Sequence, residues 1–163
     1  MRKYLKAIFI ILMIFSFISC DQATKSYAMK KLPLSTSVGY LGGLVRFQFA
    51  ENRGYFLSIG STWPETFHKV VARTMTVFAM VGLVVLFFFA NKIKLSHLFA
   101  YTLLLAGSFG NLIDRLFNHG LIVDFIVLGT NRIHTGILNV ADLLITGSIL
   151  MLIIAELVHK RTD

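Results

Sequence analysis

Two aspartates stand out in this chain because nothing beside them in the sequence neutralises them. Asp124 lies in the run L-I-V-D-F-I-V-L at 121–128, and Asp142 in L-N-V-A-D-L at 138–143. Neither run contains a basic residue. A carboxylate in an apolar place without a partner is costly, so a chain that carries two has a use for them. Two carboxylates sharing such a place cannot both ionise cheaply: one keeps its proton while the other stays charged. One residue type then supplies both an acid and a base. The charged member can deprotonate a water, and the protonated one can polarise a peptide carbonyl. We read Asp124 and Asp142 as a catalytic pair.

Other polar residues fall at helical spacing around them. Asn111, Asp114 and Arg115, in G-N-L-I-D-R at 110–115, share one helix face. Asp114 with Arg115 has an alternative reading as a structural ion pair. Asn139, three residues before Asp142, is a favoured helix N-cap, whereas the neighbours of Asp142 offer its carboxylate no local partner. Asp21 and Lys25 are spaced to pair at i, i+4. Glu51-Asn52-Arg53-Gly54 is a polar turn that runs into Tyr55 and Phe56. Taken alone, it reads as a solvated hairpin turn.

Competing chemistries lack their residues. No serine stands in a G-x-S-x-G elbow. A single cysteine excludes an internal disulfide framework and a cysteine-based zinc site. The five histidines are scattered and none forms H-E-x-x-H, so neither a metal nor a cofactor is expected.

The elements that must position these residues are membrane helices. The chain is 56% hydrophobic, with clustered charges and long uncharged runs, which marks an integral membrane protein of one domain. We expect four transmembrane helices at about 4–23, 74–91, 95–113 and 137–157. The first run also resembles a secretory signal peptide, and F-I-S-C at 17–20 is a loose lipobox. Phe17 is a poor fit there and three more apolar runs follow, so a retained helix is the better reading. Small residues in Gly107-Ser108-Phe109-Gly110 suit close helix packing. Between the first two runs, prolines and glycines break any helix, and Val45, Phe47 and Phe49 alternate with Arg46 and Gln48. That alternation predicts a strand in a small β-rich platform outside the membrane. Four spans put both termini on one side, where Arg2, Lys3, Lys6, Lys92, Lys94, Lys160 and Arg161 crowd the helix ends. Their density makes that side cytoplasmic and turns the platform outward. The net charge of +8 then meets anionic membrane lipids, and no nucleic acid is expected as a partner.

Taken together, these motifs resemble the lipoprotein signal peptidases, or signal peptidase II. The resemblance rests on D-Q-x-x-K at 21–25, E-N-x-G at 51–54, G-N-x-x-D-R at 110–115, V-D-F at 123–125 and N-x-A-D at 139–142. It implies a mainly α bacterial inner-membrane aspartic endopeptidase with an outward-facing site and no metal. Its substrates would be diacylated prolipoproteins, cut on the amino side of the lipidated lipobox cysteine. By the family pattern Asp124 and Asp142 form the dyad. Asn52, Asn111, Arg115 and Asn139 line or orient the site, Asp114 supports it, and so do Asp21 and Lys25. The chain departs from the pattern at Tyr55 and Phe56, where smaller residues are commoner, and at Gly136-Ile137-Leu138, where many members carry Pro and Phe. Both changes bear on substrate preference. A monomer is expected. Two other readings are an ion-coupled transporter, which would want its acids near the bilayer midplane, and a relative that binds lipobox peptides without cutting them.

Overall fold

The computed structural model describes residues 2–33, 36–52, 63–90 and 92–159. Arg53, Gly54, Tyr55, Phe56, Ser61, Lys160 and Arg161 lie outside the described residues. Four long helices, α1 (Arg2–Lys31), α2 (Glu65–Phe89), α3 (Leu95–Phe117) and α4 (Val140–His159), carry a three-stranded antiparallel sheet at one end. Its strands are β1 (Val38–Tyr40), β2 (Val45–Asn52) and β3 (Ile122–Leu128), in that order, and a single 3₁₀ turn (Leu41–Gly43) joins β1 to β2. The expected mainly α fold with a small β platform is therefore present.

Among the described residues, Leu5–Lys31, Leu95–Phe117 and Val140–Val158 are long and apolar enough to cross a membrane. Helix α2 carries a shorter apolar stretch, Val77–Leu86. The helix bounds are not those of the expected spans, for physical reasons. Helix α1 runs on to Lys31, beyond the expected end at 23, because Asp21 and Lys25 neutralise each other inside the bundle. Helix α3 likewise continues to Phe117, since Asp114 meets Lys25 across the interface. Helix α4 starts at Val140, not 137, because Leu138 is held in extended backbone against β3.

Helix α3 packs closely on α4 and α1 through small residues. A Cβ at Gly107 would stand 2.5 Å from the Ala141 carbonyl oxygen, and one at Gly110 would stand 2.6 Å from Asp21 Oδ2. No larger side chain fits either place. An apolar cluster of Ile10, Ile14, Leu86, Leu98, Leu105 and Ala106 ties α1, α2 and α3 together.

Candidate active site

Strand β3 is the centre of the site, and both its edges are used. On one side it pairs with β2, with Ala50 opposite Asp124. Asn52, two residues on from Ala50, emerges on the same face and is the diagonal neighbour of Asp124. Asn52 Nδ2 donates to Asp124 Oδ2 at 2.9 Å. On the other side, the Phe125 and Ile126 amides donate to the Leu138 carbonyl at 2.8 and 2.7 Å, and the Leu138 amide donates back to Ile126. This short bridge sets Asn139 beside Asp124, where Asn139 Nδ2 donates to Asp124 Oδ1 at 2.7 Å. Asp124 thus lies in a strand within the connection between α3 and α4.

The same bridge delivers the start of α4. Asn139 Oδ1 accepts from the Asp142 amide at 2.9 Å, while the Asn139 amide donates to Asp142 Oδ2 at 3.3 Å. This is a reciprocal capping box with Asp142 in the third helical position. Asp142 therefore has a local partner, contrary to the reading of its neighbours. Its other oxygen accepts from Asn111 Nδ2 at 2.9 Å. The α4 N-terminus gains one more acceptor from outside: Asp21 Oδ1 takes the Ala141 amide at 2.8 Å.

A buried ion cluster lies next to the pair. Lys25 is 1% exposed and directs its ammonium at Asp21 Oδ2 (2.7 Å), Asp114 Oδ2 (2.9 Å) and Asn111 Oδ1 (3.0 Å). Three donors meet three acceptors, so the charge is satisfied. Asp114 thus pairs with Lys25 across the α1–α3 interface. Its carboxylate also accepts from the Val123 amide at 3.1 Å, which fixes the start of β3. Gln22, which sequence reasoning did not single out, donates to Asp114 Oδ1 at 2.8 Å, Asp21 Oδ2 at 3.2 Å and the Gly110 carbonyl at 3.1 Å. Its place inside D-Q-x-x-K was the available signal.

All nine residues named from the sequence fall in one assembly. Asn52, Asn111, Arg115, Asp124 and Asp142 line a cavity of about 830 Å³ between α2, α3 and α4. Asn139, Asp21, Lys25 and Asp114 stand behind it. Most of the charged and amide groups occupy one end, and the remaining wall is mainly apolar, including Phe78, Leu104, Ile149 and Leu150, with Ser108 and Thr146 among them. Burial pushes the Asp124 carboxyl up to about 7, and the charge of Asp142 adds to the rise, although Asn52 and Asn139 oppose it by hydrogen bonding to the charged form. At neutral pH Asp124 thus holds a proton in much of the population. Among the described residues, no group of histidine, cysteine, aspartate and glutamate could hold a metal ion.

The model of the family described as Signal peptidase (SPase) II matches residues 13–158. This chain belongs to the signal peptidase II family. The lipoprotein signal peptidase of Thermodesulfovibrio yellowstonii is 32% identical over 88% of this chain and 91% of its own length. That of Streptococcus pneumoniae is 27% identical over 96% of this chain and 94% of its own. Two solved structures of bacterial membrane enzymes superpose with TM-scores of 0.75 and 0.72, at 26% and 25% identity. They cover 94% and 91% of this chain, and 90% and 92% of those chains respectively. Membership makes the chain a membrane-embedded peptidase. The carboxylates gather at one end of the bundle and not at its middle, so the transporter reading gains no support.

Proposed function

We propose that this signal peptidase II works as an aspartic endopeptidase. It removes signal peptides from diacylglyceryl-modified prolipoproteins, cutting on the amino side of the lipidated cysteine. One observation carries the reading: Asp124 from β3 and Asp142 from α4 converge at the polar end of an apolar cavity, each held by side-chain amide donors. Asp142, at a helix N-terminus that favours negative charge, is the base and takes a proton from the attacking water. Its oxygen bonds to the scissile carbonyl carbon while Asp124 gives its proton to the carbonyl oxygen. As the resulting gem-diol collapses, Asp142 returns its proton to the leaving amine of the lipidated cysteine and Asp124 recovers one from the diol. Proton transfer of this kind contributes roughly 10²–10⁴-fold for each group.

The apolar wall receives the acyl chains and the apolar lipobox side chains. Arg115, on the helix face of Asn111, holds the peptide carbonyls by hydrogen bonds. The basic helix ends opposite the dyad turn both termini to the cytoplasm, and the site faces the outer side of the bacterial inner membrane. The enzyme acts as a monomer.

The test is purified protein incubated with a diacylglyceryl-cysteine peptide that spans the cleavage site, with the released signal peptide read by mass spectrometry. Cleavage by the parent and its loss in Asp124→Asn and Asp142→Asn are expected. Robust cleavage by either variant removes the aspartic mechanism. A parent that binds the peptide without cutting it is the non-cleaving relative.

A further inference from the structure

A second cavity, of about 540 Å³, lies between α2 and α3 at the end of the bundle away from the dyad. Its floor and walls are apolar, with Val85 on α2 and Leu104 and Leu105 on α3. Lys94, His97 and Tyr101 stand along its other end. Lys94 and Leu105 are eleven residues apart along α3, which at 1.5 Å per residue is about 16 Å. That is roughly half of a 30 Å hydrocarbon core, the depth of one leaflet. Lys94 and Asp114 are twenty residues apart, about 30 Å, so the basic end meets the membrane face opposite the dyad. Lys92 does not line the cavity but lies two residues before Lys94 in the turn between α2 and α3, its ammonium 5.5 Å from the centre of the Phe89 ring. At its inner end the groove reaches Gly82, Leu104 and Leu105, which also line the cavity of the dyad.

The geometry points to a binding site for one anionic phospholipid of the leaflet opposite the dyad, with its phosphate at Lys92, Lys94 and His97 and an acyl chain in the groove. Charge complementarity selects the occupant. Two lysines and an imidazole beside a one-leaflet-deep apolar slot match a negative head group joined to a hydrocarbon tail, and they repel the basic start of a signal peptide. The chain end lies against Gly82 and Leu105, so the bound lipid forms part of the wall of the substrate cavity. This site is separate from the dyad and does not depend on the aspartic reading.

The experiment uses the full chain in nanodiscs made from equal parts of phosphatidylglycerol and phosphatidylcholine, then extracted into mild detergent, with retained lipid measured by native mass spectrometry. The parent is expected to retain one phosphatidylglycerol in preference to phosphatidylcholine, by about fivefold for each lysine engaged. Lys92→Gln/Lys94→Gln/His97→Gln should abolish the preference. Val85→Trp, which fills the groove without touching the dyad cavity, should remove the retained lipid while every basic residue stays in place. Equal retention of the two lipids by the parent overturns the site. So does retention that survives Val85→Trp, because the lysines would then be holding lipid at the surface and not in the groove.

Discussion

Replacing Lys25 by Met tests how the cluster behind the dyad is held. Methionine keeps most of the volume and removes the charge, so packing is nearly constant. The ammonium that is lost bonds Asp21 at 2.7 Å, Asp114 at 2.9 Å and Asn111 at 3.0 Å, in a place only 1% exposed. Two carboxylates are left facing each other without a cation. Breaking a buried ion pair by removing one partner costs about 3–5 kcal/mol. The third bond adds less, because Asn111 Oδ1 still accepts from Asn139 at 3.1 Å. A loss of about 4 kcal/mol is a large share of the ~5–15 kcal/mol that stabilises an ordinary domain. For a chain of this size it lowers the thermal midpoint by roughly 8–16 °C, which circular dichroism in detergent can follow. Lys25→Met/Asp114→Asn removes one of the stranded charges, and its cost should fall short of the summed single costs by about 0.5–3 kcal/mol. A midpoint for Lys25→Met within ~2 °C of the parent would refute the reasoning, since a change of that size is worth under about 1 kcal/mol.

Further expectations concern the dyad and its supports. Asp124→Asn, Asp142→Asn and the double variant should lose several orders of magnitude in turnover to similar extents, because residues acting as a unit are non-additive; a double variant far worse than either single one would show independent roles. With Asp124 raised from 3.8 to about 7, the folded chain binds a proton across that window that the unfolded chain lacks. Stability therefore falls as pH rises from about 4 to about 7, and Asp124→Asn should flatten the slope, which melting at several pH values would check. The rate should also decline on the alkaline side as the acid loses its proton, with an apparent pKa near 7 in kcat/KM. Gly110→Ala puts a methyl 2.6 Å from Asp21 Oδ2 and should cost about 1–3 kcal/mol by overpacking; an unchanged midpoint would show that Asp21 can yield. In a Cys20→Ala background, Ser61→Cys should react with an impermeant thiol reagent on spheroplasts. Labelling only after permeabilisation would reverse the orientation.

What the sequence disclosed, and what it withheld, follows from where each partner lies. Asp21 and Lys25 were legible as a pair because i, i+4 spacing is a local rule, but their third member, Asp114, comes from another helix and has no local signature. Absence of a basic neighbour singled out both proposed catalytic aspartates, and the same absence misled for Asp142, whose partner Asn139 sits one turn away in a capping box. The strand that carries Asp124 was not legible because β3 does not alternate: Ile122 through Val127 are all buried. A strand covered on both faces shows a continuous apolar run, not a period of two. Strand β2, half exposed, kept its alternation and could be read. Helices run past the expected spans where a charge marked the span's boundary, since a charge met by another element does not stop a helix.

The polar network has one direction, and Lys25 sets it. An ammonium can only donate, so Asn111 must turn its Oδ1 toward Lys25, which leaves its Nδ2 for Asp142. The amide of Asp142 can also only donate, so Asn139 presents Oδ1 to it and Nδ2 to Asp124. No flipped amide satisfies the same neighbours, which makes these orientations a consequence of chemistry and not of placement. The chain from Lys25 through Asn111 therefore ends on Asp142, and the one through Asn139 ends on Asp124. Among the described residues, the oxygens of Asp124 and Asp142 meet only donors, so a proton held by the pair finds no acceptor among them. It is left to point into the cavity, where a substrate carbonyl would lie.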